Sequence, residues 1–169
     1  MERLVLNEKS QTEKSCLIMI FTEGTVLKHK SLLQFFNQKT YCPIKNCIKK
    51  IENWEKQGAE VIYLTSRRNR KSAERTRNLL KYYGFAGSFL YFRGKKEKYK
   101  DIVEKICPEV FIEDDCKSIG GNWQIAINQV DKSVKENITS IIVREFRGID
   151  NLPDKLSELK KYNEQIKKK

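Results

Sequence analysis

The sequence has little that could form a disulfide framework or a zinc site. It contains one histidine, His29, and five cysteines, an odd number at irregular spacing, which does not suit a set of paired disulfides. A structural zinc ion usually takes four nitrogen or sulfur ligands, and Cys42 and Cys47 have no second cysteine pair to complete such a set. We therefore expect reduced thiols that are mostly buried.

Long apolar runs are absent too. The longest is "CLIMIF", at residues 16–21, whereas a membrane-spanning helix needs about 20 apolar residues. The N-terminal segment "MERLVLNEKSQTEKS" is too charged for a secretory signal. The sequence therefore predicts a cytoplasmic protein with no membrane association.

What the sequence does have is positive charge, with 34 basic against 22 acidic residues and a net charge of +12. This excess permits binding to nucleic acid or another polyanion, but lysines spread over helix faces favour a solvated surface instead. The length of 169 residues suits one domain over residues 1–169. Within it we expect a flexible segment at residues 1–14 and a basic C-terminal tail at residues 160–169.

Strand-like and helical apolar patterns alternate along the chain. The strands are predicted at residues 16–21, 60–65, 88–92, 109–112 and 138–143. Helical spacing is found over residues 44–54, 73–83 and 99–106, and Pro153 can open a last helix carrying Leu156, Leu159, Tyr162 and Ile166. This order predicts a three-layer, Rossmann-like α/β fold, with a mostly parallel sheet of about five strands and helices on both faces. Residues 117–137 fit no single pattern, because "WQIAI" alternates like a strand and "VDKSVKEN" resembles a helix.

Polar residues follow four of the predicted strands. The first strand leads into "TEGT", the second into "TSR", the third into "RGKKEKYK" and the fourth into "EDD". Because the carboxyl ends of parallel strands meet at one edge of the sheet, these groups are expected to converge there. Hydroxyl, basic and acidic groups together suit a phosphate ester and a divalent metal ion.

These clusters, in this order, resemble the motifs of the haloacid dehalogenase (HAD) superfamily, most of whose members are phosphatases. The resemblance covers roughly residues 16–115. The family's first motif is a strand followed by D-x-D-G-T, and this sequence has "FTEGT" there, beginning at Phe21. The second motif matches "VIYLTSR" at Thr65. The third, a lysine that opens a helix, matches Lys100 with Lys98 as the alternative, and the fourth matches "VFIEDD". The segments "PEVFIEDDCKSIGG" and "IIVREFRGIDNLPD" resemble an uncharacterised prokaryotic group with this fold.

The resemblance implies a role for each matching residue. Glu23 takes the general-acid position and Lys100 the position of the catalytic lysine. Magnesium would be held by the acids of the fourth motif, and phosphate oxygens by residues of the first two motifs. The implied metal ligands are Glu113, Asp114 and Asp115, and the implied phosphate-binding residues are Gly24, Thr25, Thr65, Ser66 and Arg67.

Two positions depart from the family pattern. Glu23 keeps the carboxyl group of the family's second aspartate but is one methylene longer. Phe21 stands where the family has its nucleophilic aspartate, and a phenyl ring can neither attack phosphorus nor bind magnesium. The sequence therefore leaves two interpretations open on this fold: a phosphatase-type hydrolase with altered chemistry, and a protein that binds a phosphorylated ligand without catalysis. In the first, Glu23 would act as a general base on water, with His29 as a further candidate.

A third interpretation is association with nucleic acid. Residues 67–77 contain five arginines and a lysine within "RRNRKSAERTR", and arginine suits phosphate groups, although a solvated helix face is the favoured explanation. Residues 26–59 between the first two motifs have room for a small flap but not for a large cap domain. We therefore expect an open site at the edge of the sheet.

Overall fold

A computed structural model describes residues 1–7, 16–30 and 40–162. The strands are β1 (Glu2–Val5), β2 (Cys16–Phe21), β3 (Leu27–His29), β4 (Tyr41–Pro43), β5 (Ala59–Leu64), β6 (Phe89–Phe92), β7 (Val110–Asp114) and β8 (Thr139–Val143). Six of them form a central sheet in the order β1-β6-β5-β2-β7-β8, and β3 and β4 form a separate two-stranded sheet.

Five strands of the large sheet run parallel, as predicted. The central strand β2 pairs with β5 from Cys16↔Ala59 to Phe21↔Leu64, and with β7 from Ile18↔Val110 to Ile20↔Ile112. Strand β5 also pairs parallel with β6, and β7 with β8. A strand covered on both faces needs apolar side chains on both, which explains the continuous run "CLIMIF".

The sixth strand corrects one expectation. Residues 1–14 were expected to be flexible, but Glu2–Val5 forms β1, antiparallel to β6 in the register Glu2↔Phe92 to Val5↔Phe89. Within β1 only Leu4 is buried, and such a short edge strand has too few apolar positions to produce a readable alternation. Residues 8–14 lie outside the described part of the chain.

Helices cover both faces of the sheet. They are α1 (Cys47–Lys56), α2 (Arg70–Tyr82), α3 (Tyr99–Ile106), α4 (Lys132–Lys135) and α5 (Leu156–Leu159). Side chains of α1, α2 and α5 pack with Ile18 and Ile20 on one face, while α3 packs with Met19 on the other. The alternation along β2 thus serves two separate cores, which gives the predicted three layers.

Helix α5 starts later than predicted. It begins at Leu156 rather than near Pro153, and the Leu156 N–H donates to Gln57 Oε1 at 2.9 Å. The Pro153 carbonyl instead accepts a hydrogen bond from Trp54 Nε1 at 3.0 Å, so this residue anchors the C-terminal segment on α1. Ile166, the last predicted helical position, lies outside the described residues.

Residues 117–137 form a compact cover over the second core. They contain three 3-10 turns, at Lys117–Ile119, Gly121–Trp123 and Ala126–Gln129, followed by α4. Ile125, Ala126, Ile127 and Val130 are buried against the sheet. Short 3-10 turns have no extended periodicity, which explains why this segment could not be assigned from its pattern.

The first motif is followed by a small flap instead of a cap. Strands β3 and β4 pair antiparallel from Leu27↔Pro43 to His29↔Tyr41, and residues 31–39 between them are outside the described ranges. Over residues 1–7, 16–30 and 40–162 there is no cap domain, and no described helix has the length and apolar character to cross a membrane. The fold is a three-layer α/β sandwich, with the carboxyl ends of its parallel strands open on one side.

Candidate functional site

A cavity of about 500 Å³ lies at the carboxyl edge of the sheet. Residues that follow β2, β5, β6, β7 and β8 all contribute to its walls, so the predicted convergence of the four motif loops is observed. The segment after β7 adds Ile119 and Trp123, and the loop after β8 adds Glu145 and Phe146. The cavity has a basic half, an acidic half and a first-motif loop between them.

The first-motif loop is a tight turn pressed against Asp114. Gly24 has φ +84, and a Cβ atom built on it would lie 2.6 Å from the Asp114 carboxyl carbon. Thr25 Oγ1 donates to Asp114 Oδ1 at 3.1 Å, and the Gly24 carbonyl accepts a hydrogen bond from the Phe146 N–H at 2.7 Å. Only glycine fits this left-handed position without steric conflict, which accounts for the G-T pair in the sequence.

Phe21 stands at the end of β2, on the cavity wall. Its ring is half-buried and meets the edge of Tyr99, with ring centroids 5.2 Å apart and planes at 83°. Its side chain packs on the core that contains Met19 and Phe111. The end of the strand therefore presents an aromatic surface to the cavity, where the family pattern has a carboxylate.

Three donors in the second motif converge on one point, and we call Thr65, Ser66 and Arg67 the oxyanion cradle. The Glu23 carboxylate occupies that point. Thr65 Oγ1 donates to Glu23 Oε1 at 2.7 Å, the Ser66 N–H donates to Oε2 at 2.9 Å, and Arg67 Nε donates to Oε1 at 3.1 Å. A fourth donor, Thr22 Oγ1, approaches Oε2 at 2.6 Å. The cradle thus holds an anionic group of the protein itself.

The cradle is fixed by its surroundings. Thr65 is fully buried, and its N–H donates to the Tyr91 carbonyl at 3.0 Å, beyond the end of the regular sheet pairing. Tyr99 Oη donates to the Ser66 carbonyl at 3.1 Å. Burial alone would lower the pKa of Arg67, but the Glu23 carboxylate and Tyr41 outweigh it and raise that pKa. The guanidinium, which also lies over the Tyr41 ring, therefore remains charged.

Further cations line the cavity beside the cradle. Arg68, Arg93 and Lys98 face it, and the Arg93 guanidinium lies 4.5 Å from the Tyr99 ring centroid. The arginine-rich stretch 67–77 is divided: Arg67 and Arg68 reach the cavity, whereas Arg70 on α2 pairs with Glu74 at 3.3 Å. Together the four lining cations form the basic half.

Of the two candidate lysines in the third motif, the structure brings Lys98 to the cavity and not Lys100. Helix α3 begins at Tyr99 and turns Ile102 and Val103 inward. This orientation directs Lys100 sideways, where its Nζ pairs with Glu104 Oε1 at 3.3 Å. The spacing in the sequence could not separate the two lysines, because the first residue of the helix was unknown.

The carboxylate oxygens of Asp114, Asp115 and Glu145 lie within 4.8 Å of one another, and we call these three residues the acidic half. Asp114 and Glu145 line the cavity, and Asp115 directly follows Asp114 in the chain. Asp114 Oδ2 accepts the Cys116 N–H at 3.1 Å, and Asp115 Oδ1 accepts the Glu145 N–H at 3.0 Å. Burial raises the pKa of Asp114 to about 6. Glu145 was not predicted, although it follows the fifth predicted strand, whose end reaches the same edge of the sheet.

Glu113 is not one of these three ligand candidates. Its side chain points under the segment that follows β7, where it accepts the N–H groups of Ala126 and Ile127 at 2.8 and 2.9 Å. Burial raises the pKa of Glu113 to about 7. Neighbouring residues of a strand point to opposite faces, so Glu113 and Asp114 have different surroundings despite their adjacency.

His29 lies on the flap and does not line the cavity. Its ring is 5.1 Å from the ring of Phe146 and 6.2 Å from that of Tyr41, measured between centroids. The acidic half has the chemistry for a hard divalent cation, because carboxylate oxygens are the ligands that magnesium prefers. Phe21 contributes no ligand to it.

No family model matches the sequence, and no curated protein matches it. Among solved structures, the chain is similar to a chain of the Pnkp1/Rnl/Hen1 RNA repair complex, with a TM-score of 0.53 and 15% identity over 82% of this chain and 46% of that one. The chain thus spans about half the length of that relative. This likeness supports the fold alone.

A weaker likeness is to the D,D-heptose 1.7-bisphosphate phosphatase from B. bronchiseptica, whose structure contains magnesium and phosphate. The TM-score is 0.42 and the identity 11%, with 78% of this chain and 94% of that one covered.

Proposed function

We propose that this protein binds a phosphorylated ligand at the oxyanion cradle and does not hydrolyse it. The observation that supports this most directly is the convergence of Thr65 Oγ1, the Ser66 N–H and Arg67 Nε on the Glu23 carboxylate. A buried hydroxyl, a backbone N–H and a guanidinium are the donors that phosphate oxygens require.

For phosphate to bind there, the Glu23 carboxylate would have to leave the oxyanion cradle. A phosphate group and the Glu23 carboxylate cannot both accept the same three hydrogen bonds, and two anions at this distance repel each other. Glu23 is one residue from Gly24 and its side chain has rotatable bonds, so the carboxylate can leave the cradle without unfolding the loop. In this proposal the carboxylate holds the cradle in shape until a phosphate replaces it.

Hydrolysis by the usual covalent route has no nucleophile. Phe21 occupies the end of β2, and an attack by free water would forgo the advantage of a positioned nucleophile, which is worth several kcal/mol. Glu23 is poorly placed as a general base, because four donors surround its carboxylate oxygens. These contacts favour the binding interpretation over a hydrolase with altered chemistry.

A divalent cation is the expected companion of the ligand. Asp114, Asp115 and Glu145 would hold it, and it would offset the repulsion between their carboxylates and the phosphate. Thr25 and Cys116 keep Asp114 oriented through their hydrogen bonds to its two oxygens.

The proposal can be tested by calorimetric titration with inorganic phosphate, alongside phosphate release from p-nitrophenyl phosphate in Mg²⁺ or Mn²⁺. Thr65→Val removes one cradle donor and keeps the shape of the side chain. Its matched control is Thr139→Val at the start of β8, where the hydroxyl donates to the Lys160 carbonyl.

We expect the wild type to bind inorganic phosphate and to release none from p-nitrophenyl phosphate. Thr65→Val should weaken phosphate binding about 10-fold, because one hydrogen bond to a charged group is lost. Thr139→Val should leave phosphate binding unchanged. Metal-dependent release that Glu23→Gln and Asp114→Asn abolish would contradict the proposal and support an altered hydrolase.

A further inference from the structure

Trp123 has an unusual environment for so large an apolar side chain. It lines the cavity and yet is 87% exposed. Its neighbour in the same wall, Ile119, is 55% exposed. An exposed tryptophan at the mouth of a concave, charged cavity is typical of a surface that contacts a ligand.

The backbone around Trp123 is well held although its ring is exposed. The Trp123 carbonyl accepts Gln129 Nε2 at 3.0 Å, and the Gln124 N–H donates to the Gly121 carbonyl at 2.8 Å. Further along, the Glu113 carboxylate secures the segment through the N–H groups of Ala126 and Ile127. The exposure of the ring is thus a feature of an ordered turn.

The other aromatic rings of the cavity are already engaged. The Arg93 guanidinium lies over Tyr99, and Arg67 lies over Tyr41 at 5.4 Å. Phe21 packs against the edge of Tyr99, and Phe146 against His29. Among the described residues, Trp123 makes no such ring or cation contact, so its face is available for stacking.

We propose that the ligand is a nucleoside phosphate, with its phosphate in the oxyanion cradle and its base stacked on Trp123; this rests on the phosphate-binding function proposed above. The two features share one cavity of about 500 Å³, a size within the range of small-molecule sites. A ligand that uses both must have an anion at one end and a planar ring at the other.

The basic half suits such a ligand along its length. Arg68, Arg93 and Lys98 lie beside the cradle and can contact further phosphate groups of a nucleotide or of a strand. Stacking on tryptophan tolerates any base because every base has a π-face. We therefore expect weak preference among bases and a strong requirement for the phosphate.

The test compares four ligands on the wild-type chain: adenosine monophosphate, ribose 5-phosphate, and a short single-stranded oligonucleotide with and without a 5′-phosphate. Binding is followed by tryptophan fluorescence and by calorimetry. Trp54, the other tryptophan, is fully buried, so quenching reports on Trp123. The variants are Trp123→Ala, Trp123→Phe and, as a matched control, Tyr82→Ala, whose exposed ring on α2 is outside the cavity.

We expect adenosine monophosphate to bind about 10-fold more tightly than ribose 5-phosphate, by stacking of one base. Trp123→Ala should remove this advantage, Trp123→Phe should keep most of it, and Tyr82→Ala should change nothing. Preference for the phosphorylated oligonucleotide over the mononucleotide would identify a strand end as the source of the ligand, whereas equal affinity would identify a free nucleotide.

Equal binding of adenosine monophosphate and ribose 5-phosphate would overturn this inference and leave the phosphate-binding function standing. If the wild type bound none of the four ligands and no inorganic phosphate, both this inference and the proposed phosphate-binding function would be overturned. Trp123-dependent binding to phosphatidylcholine vesicles without any affinity for nucleotides would reassign the exposed ring to a membrane surface and also overturn the inference.

Discussion

The two halves of the cavity are both formed by residues at the carboxyl ends of parallel strands, and they differ in the charge of their side chains. In the basic half, Thr65, Ser66 and Arg67 follow β5 and surround the carboxylate of Glu23. In the acidic half, Asp114 ends β7, and its carboxylate oxygens lie within 4.8 Å of those of Asp115 and Glu145. The basic half places one carboxylate among four cations, and the acidic half brings three carboxylates together.

Under the function proposed above, the basic half binds the ligand although no carboxylate stands at the end of β2. The donors of the basic half and the acids of the acidic half are both present. The position between them carries the ring of Phe21, packed against Tyr99. An apolar side chain thus stands at the end of the central strand, and both halves remain arranged around the cavity.

The largest effect on stability is expected in the first-motif loop, which lies between the two halves. Gly24→Ala adds a Cβ at φ +84, only 2.6 Å from the Asp114 carboxyl carbon, so the loop or Asp114 must move. We expect a loss of about 2–4 kcal/mol in the free energy of unfolding, from left-handed strain plus the steric conflict. Urea denaturation measures it.

The matched control for this substitution is Gly84→Ala. Gly84 has φ +74 with no atom within 4 Å of a built Cβ, so it reports the backbone strain alone, about 1–2 kcal/mol. Equal losses in the two variants would contradict the close contact between the first-motif loop and Asp114.

The next prediction distinguishes a direct contact of Arg67 with phosphate from long-range attraction by the positive charge of the whole surface. Arg67→Ala removes the guanidinium that pairs with Glu23 at 3.1 Å, and we expect phosphate affinity to fall about 10- to 100-fold. Arg67→Lys should recover only part of this, because an ammonium lacks the planar fork. Arg75→Ala, on the exposed side of α2, is the charge-matched control; an equal loss there would reduce the effect to long-range attraction.

A smaller effect distinguishes Glu113 from the acids beside it. Its pKa is raised by burial to about 7 in the folded state, against about 4.3 when unfolded. Between these values the folded chain binds more protons than the unfolded chain, so this group's contribution to stability is present below about pH 4 and is lost as pH rises through 7.

We therefore expect the stability of the wild type relative to Glu113→Gln to fall by about 1–3 kcal/mol from pH 4.5 to 8, measured by urea denaturation with chelator present. Glu136→Gln on the exposed surface near α4 should show no such difference. A relative stability of Glu113→Gln that is independent of pH would contradict the buried position of this carboxyl group.

The smallest effect concerns the acidic half. Glu145→Gln replaces one anionic oxygen in the three-carboxylate group and should lower Mn²⁺ affinity about 5- to 10-fold, a change of about 1 kcal/mol. Electron paramagnetic resonance of free Mn²⁺ measures the change. Glu158→Gln on α5 is the control, and an unchanged affinity in Glu145→Gln would remove this residue from the metal site.

The sequence predicted the parallel sheet and the residues at its strand ends. A buried strand appears as a short continuous apolar run, and the first polar residue after the run marks where the strand ends. Thr65 and Asp114 were found in this way. Glu145 was missed since no motif marked it, although the same rule applied to β8 would have found it. The contacts of Glu23 were beyond prediction, because they join loops that are about 42 residues apart in sequence and depend on side-chain direction.

The exposure of Trp123 was also unreadable from the sequence. Its neighbours Ile125 and Ile127 are buried, and no periodicity distinguishes a ring that faces a cavity from one that faces the core. The 3-10 turns determine which way the Trp123 ring faces. Hydrogen bonds of Glu113 and Gln129 stabilise these turns, and no apolar pattern in the sequence marks them.

A crystal structure of the chain grown with inorganic phosphate and Mg²⁺ tests directly whether the oxyanion cradle binds phosphate. We expect phosphate oxygens within hydrogen-bond distance of Thr65 Oγ1, the Ser66 N–H and Arg67 Nε, with the Glu23 carboxylate rotated out of the cradle. Phosphate bound elsewhere in the cavity, with Glu23 still held by the same three donors, would contradict it.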